Sequence, residues 1–271
     1  MPLRPSEAAG PTRRDVAASA VWSLPVVSTA IAAPFAAASP ATCRSVAMLP
    51  PSRPSLRPPL LTAVAPSGVV STVRILSELA PGTTSLTQDE DFNLGWDGGR
   101  WASNGDPSSV GEVVVRNYPA GSLMLNQRRS GPITEEPSPG SDRQTLTFEF
   151  IGPDGRPFDP TDVVLTVQNL TSSATPGYPW LLNWWSSVGF SVAPVSITST
   201  AGHPGAGAGT VQDPFRRAAP TDVGIIGGVL VDTFTFGVLP SGSTLTYSQH
   251  EGQQGWHAST LSALSFVSRN C

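Results

Sequence analysis

A chain of 271 residues with 26 glycines, 28 prolines and only 13% charged residues has room for one large domain or two small ones, and too many helix breakers for a helical bundle. Its net charge is −4 and its 16 basic residues are all arginines, scattered along the chain, so no basic stripe is offered to nucleic acid. Two cysteines without a Cys-x-x-Cys pair speak against a redox motif or a thiolate zinc site.

Taken in chain order, the first element is a leader. Arg4, Arg13 and Arg14 stand against Glu7 alone, and no charged residue occurs between Val16 and Thr42. Ala36-Ala37-Ala38 then supplies the small residues that a signal peptidase reads. The pattern predicts a signal peptide over residues 1–38, cut between Ala38 and Ser39. Pro25, Pro34 and Pro40 oppose the competing reading, a membrane anchor, because a spanning helix needs about 20 strongly apolar residues. Arg13-Arg14 admits twin-arginine export as well as the general route, although Asp15 and Val16 follow where that signal carries a bulky apolar residue. Thr42 and Pro40 do not make a lipobox for Cys43. The expectation is a secreted or cell-wall-associated protein with no stable membrane span after processing.

Residues 39–68 are proline-rich, with Pro50-Pro51 and Pro58-Pro59, and proline removes ladder donors and fixes φ. They are expected to form an extended or irregular linker rather than sheet. An oxidising compartment and an even count favour a disulfide between Cys43 and Cys271. In the chain-entropy model such a loop is worth roughly 5 kcal/mol, an upper figure because native strain subtracts.

Residues 69–271 read as a single all-β domain, a β-sandwich of jelly-roll type. Strands are expected over 69–76, 110–118, 122–127, 144–151, 163–170, 188–198, 228–238, 243–249 and 261–268. Leu146-Thr147-Phe148-Glu149-Phe150 alternates apolar with polar, as a strand with one wet face does. A second run sets Leu230, Phe234, Phe236 and Val238 against Val231, Thr233 and Thr235. Gly152-Pro153-Asp154-Gly155 and Pro240-Ser241-Gly242 supply turns where hairpins need them.

The order of short motifs resembles a group of secreted actinobacterial surface proteins with a β-sandwich. It rests on Leu123-Met124-Leu125-Asn126-Gln127, the 144–150 strand, Asp213-Pro214-Phe215-Arg216, Thr244-Leu245-Thr246-Tyr247 and Leu264-Ser265-Phe266 before Cys271. Arg13-Arg14-Asp15 and Ala20 to Pro25 add to it. The resemblance spans residues 122–271 and the leader, and implies export and a sandwich but no particular activity. In that group the strand after the Phe-rich one ends in an acidic cluster. Here Asn169 and Thr171 stand in its place, which argues against a cation there.

Several residue groups could carry chemistry. Asp89, Asp91, Asn93 and Asp97 follow calcium-loop spacing, but the glycine is displaced to Gly95 and Arg100 stands where a bidentate Glu belongs. A solvated loop explains the same residues. Trp96, Trp101, Trp180, Trp184 and Trp185, with Tyr178, could stack on sugar rings, and the alternative is burial in the core. His250, Glu251 and His257 lack the spacing of a compact zinc pair, and His203 lies in a glycine-rich loop. Glu112, Glu149 and Asp232 are strand-borne carboxylates of the kind a glycosidase pairs across a cleft, while no Gly-x-Ser-x-Gly elbow is present. Asn169-Leu170-Thr171 fits a glycosylation sequon. Together these features predict a non-catalytic, secreted or cell-surface protein that binds an extracellular or cell-wall glycan, or plays a structural role there. It is expected to need no cofactor or metal and to bind no nucleic acid. The alternative is a secreted glycan-active enzyme.

Overall fold

Period-two alternation becomes strand wherever one face can be buried. Along residues 143–151, Leu146, Phe148 and Phe150 are fully buried while Thr145, Thr147 and Glu149 are half-buried on the other face. The computed structural model describes residues 43–48, 60–80, 94–97, 100–103, 114–115, 123–125, 143–173, 184–221, 230–251 and 259–269, and among these there is no α-helix.

Strands β1 (Arg44–Met48), β2 (Leu60–Val64) and β3 (Val70–Leu79) are followed by β4 (Leu94–Asp97), β5 (Arg100–Ser103) and β6 (Val114–Val115). Next come β7 (Leu123–Met124), β8 (Arg143–Ile151), β9 (Thr161–Gln168), β10 (Ser172–Ser173), β11 (Trp184–Phe190) and β12 (Ser196–Ser199). The last are β13 (Gly205–Ala206), β14 (Phe215–Arg217), β15 (Val231–Val238), β16 (Ser243–Glu251) and β17 (Thr260–Val267). One large antiparallel sheet runs β12-β15-β9-β17-β1-β2-β3-β8-β16-β11-β14-β13, with β10 beside β11 and β7 beside β17. β4, β5 and β6 form a separate small sheet.

The large sheet rolls onto itself as a nearly closed, barrel-like sandwich. Phe190 of β11 meets Phe234 and Phe236 of β15, each at 4.9 Å between ring centroids, although the two strands lie near opposite ends of the strand order. Phe150 of β8 likewise reaches Phe266 of β17 at 5.3 Å. The inner faces of both halves share one hydrophobic core.

The proline-rich linker is corrected in part. β1 and β2 lie inside residues 39–68 and pair with each other and with β17 and β3. The prolines between them fall outside both strands, so each strand keeps its full set of N–H donors, and Ser45, Ala47, Leu61 and Ala63 alternate into the core. The strand expected over 188–198 is two strands, β11 and β12, separated by a segment holding Pro194. Val238 turns outward at 47% exposure, and the phase of Leu230, Phe234 and Phe236 instead buries Asp232. Asp162, the second residue of β9, and Asn169, just past its end, have φ of 49° and 59°. Asn169 is tied down there, because its Oδ1 accepts the Leu230 N–H at 3.0 Å and its carbonyl accepts the Ser259 hydroxyl at 2.8 Å.

Candidate functional site

The outer face of β8 and β16 is rich in half-buried hydroxyls. Thr145 pairs with Thr246, Thr147 with Thr244 and Arg143 with Ser248. At its edge the indole of Trp185 is stacked on the imidazole of His250, 3.5 Å between centroids and 9° from parallel. The Arg216 guanidinium lies 4.7 Å from the same indole. His250 comes from β16 and Arg216 from β14, on either side of β11, so both ring faces of Trp185 are occupied by the protein itself. The Ser187 hydroxyl lies 3.5 Å from His250 Nε2 and helps hold the ring. The Arg216 side chain is exposed, and its guanidinium lies over the indole at cation–π distance.

A different arrangement stands where the rolled sheet comes back to itself. Arg217 of β14 and Asp232 of β15 form an ion pair with both side chains at 0% exposure. The Arg217 Nε also donates to the Leu170 carbonyl at 2.8 Å, and its NH1 donates to the His203 carbonyl. Burial lowers the Arg217 pKa to about 10, which leaves it charged at neutral pH. The second carboxylate oxygen, Asp232 Oδ1, has no hydrogen-bond partner among the described residues. The pair therefore spans two strands that share no backbone ladder.

These placements decide several sequence expectations. Glu149 projects from the outer face into an ion pair with Arg74, whereas Asp232 projects into the core. A carboxylate on the outer face of β8 and one buried in the core from β15 do not flank a common cleft. Glu112 lies outside the described residues. Trp185 is half-buried on the outer face, with His250 stacked on its ring and Arg216 over it. Trp96 and Trp101 are directly opposed in the β4–β5 hairpin, and Asp97 faces Arg100. The ninth and twelfth positions of the calcium-loop spacing are thus cross-strand partners, while its first, third and fifth lie outside the described residues. Asp89, Asp91, Asn93, Trp180, His257, Cys271, Ala38 and Ser39 lie outside the described residues, as does the side chain of Trp184. No group of three potential metal ligands occurs among the described residues, and no described helix is long and apolar enough to cross a membrane.

Sequence reasoning did not single out Arg217 and named Asp232 only as one of several strand-borne carboxylates. The signal was available, because Asp232 keeps the phase of Leu230, Phe234 and Phe236, and a charge in a buried phase calls for a buried partner.

No family model and no curated protein sequence matches the chain. Among solved structures it is similar to the adhesin domain of PrgB from Enterococcus faecalis bound to DNA. The TM-score is 0.36 at 11% identity, covering 76% of this chain and 66% of that one.

Proposed function

We propose that the chain is a secreted or cell-surface β-sandwich protein that acts by binding rather than by turnover, with an extracellular or cell-wall glycan as its partner. The observation that carries this reading is the hydroxyl-rich outer face bordered by the exposed side chain of Arg216. Half-buried threonines and serines offer donors and acceptors at strand spacing to a polymer of hydroxyls, and Arg216 adds a charge-assisted donor for an acidic sugar. The fate of the carboxylates supports binding over hydrolysis, since Glu149 and Asp232 are both engaged by arginines.

Export rests on the leader. A Cys43–Cys271 bond is supported by the absence of any free cysteine among the described residues. It is also supported by the Ser268 N–H donating to the Cys43 carbonyl at 3.0 Å, three residues before Cys271. Intact mass of the exported protein checks both: the mature chain is expected to begin at Ser39 and to gain two hydrogens on reduction.

The binding test is retention on insoluble cell wall and on a panel of polysaccharides. The wild-type chain is expected to be retained without releasing reducing sugar, and Arg216→Ala to weaken retention about tenfold, the effect of one charge-assisted contact. Release of sugar that Glu112→Gln abolishes would establish the enzyme reading instead.

A further inference from the structure

Pro153, Pro157 and Pro160 keep the segment between β8 and β9 from extending either strand, so its shape depends on side chains and long-range bonds. Phe158 anchors it. The ring is buried against Phe150 and Phe266 at 6.2 and 6.0 Å, and the Phe158 N–H donates to the Phe150 carbonyl at 3.1 Å. Asp159 then reaches the β15–β16 turn, where its Oδ1 accepts the Ser241 N–H at 2.9 Å. The Ser241 hydroxyl oxygen accepts the Phe150 N–H at 3.0 Å, and the Leu239 N–H donates to the Pro160 carbonyl at 3.2 Å. The end of β17 is held as well: the Ser268 N–H donates to the Cys43 carbonyl at 3.0 Å, and its hydroxyl lies 3.1 Å from that of Ser71.

These elements border an open cavity of about 610 Å³, lined by Phe158, Asp159, Thr161, Ser241, Val267 and Arg269 among others. Two of the lining residues carry opposite charges, yet they do not neutralise each other. Arg269 is exposed and forms no ion pair or hydrogen bond among the described residues. The Asp159 carboxylate accepts only the Ser241 N–H there, through one of its two oxygens. One cavity therefore holds a free guanidinium and a carboxylate oxygen to spare, beside the hydroxyls of Thr161 and Ser241 and the apolar groups of Phe158 and Val267. Opposite charges that stay apart on one surface are complementary to a ligand whose own charges are opposite and held apart. A neutral sugar would leave both without a charged partner, and a simple anion or cation would leave one.

We infer that this cavity binds a small zwitterion of dipeptide size, with its carboxylate on Arg269, its ammonium on Asp159 and its side chains against Phe158 and Val267. The volume lies in the range of small-molecule sites and exceeds what a single amino acid fills, which favours the dipeptide. The cavity shares no residue with the outer-face hydroxyls of β8 and β16 or with Arg216, so the inference stands whether or not the chain binds a glycan.

The probe is dialanine, titrated calorimetrically into the exported chain beside N-acetyl-dialanine, dialanine amide and glucuronate. Saturable binding of dialanine is expected, with a Kd at or below about 1 mM. Each cap removes one charge and is expected to weaken binding about tenfold. Arg269→Gln is expected to weaken dialanine about tenfold and to erase its advantage over the amide, while the penalty for acetylation stays. Asp159→Asn keeps the oxygen that accepts the Ser241 N–H, so the urea midpoint is expected to hold. In that variant the acetylation penalty should vanish and the amide penalty remain. Failure to bind dialanine, equal binding of the capped forms, tighter binding of glucuronate, or loss of the wrong discrimination in either variant would each overturn the inference.

Discussion

Phenylalanines fill both ends of the core, but the strands around them are closed in different ways. At one end, Phe150, Phe158 and Phe266 meet at 5.3 to 6.2 Å from β8, the adjoining turn and β17, strands that have hydrogen-bonded neighbours on both sides. At the other end, Phe190, Phe215, Phe234 and Phe236 meet at 4.9 to 5.3 Å beneath the β12–β13 gap, where no ladder runs. The rings lie closer together at the second end, but apolar contact alone does not restore the direction that the missing backbone bonds would give. Those bonds are replaced by a buried ion pair, Arg217–Asp232, with two further Arg217 bonds to carbonyls. Apolar contacts are non-directional, whereas a guanidinium with three acceptors fixes which strand faces which.

The comparison breaks most decisively at that pair. Asp232→Ala leaves a buried guanidinium uncompensated and is expected to cost about 3–5 kcal/mol in urea unfolding. A loss below about 1 kcal/mol would mean that the rings alone hold the seam. The double variant Arg217→Met, Asp232→Leu removes both charges and is expected to recover most of that loss, since buried pairs replaced by apolar residues are often neutral. Gly205→Ala comes next, at about 1–3 kcal/mol, because the added methyl would overlap the Phe215 ring and force it to shift. The smallest effect is expected at Glu149→Gln. Its pair with Arg74 is chemically the same as the seam pair but has side-chain exposures of 29% and 44%, so the loss should stay under about 1 kcal/mol and shrink as salt is added. A large Glu149 effect would show that the outer hydroxyl face is stiffened by its charges, and would tie that face to folding as well as to binding.

Much of the strand content was readable because it depends on local alternation. β8, β9, β15, β16 and β17 lie where Leu146, Leu165, Phe234, Leu245 and Leu264 predict them, within a few residues. β1 and β2 were hidden by composition, since five prolines between them (Pro50, Pro51, Pro54, Pro58 and Pro59) outweighed two short alternating runs. β13 and β14 are two and three residues long, too short for any period to register. Of the site, Trp185 and His250 were marked by residue type. Their stacking was not readable, because residues 65 positions apart meet only when β11 is laid beside β16.

The chain's own order of residues settled the all-β class, the period-two burial of its longer strands and the positions of turns such as Gly152 to Gly155, because each follows from sterics and hydrophobic alternation within a few neighbours. Only the rolled sheet decided that Asp232 would face Arg217, that Trp185 would have both ring faces covered, and that β12 and β13 would stay apart. Each of these depends on which distant strands become neighbours. That choice is made by burial summed over the whole core, and no local stretch of sequence encodes it.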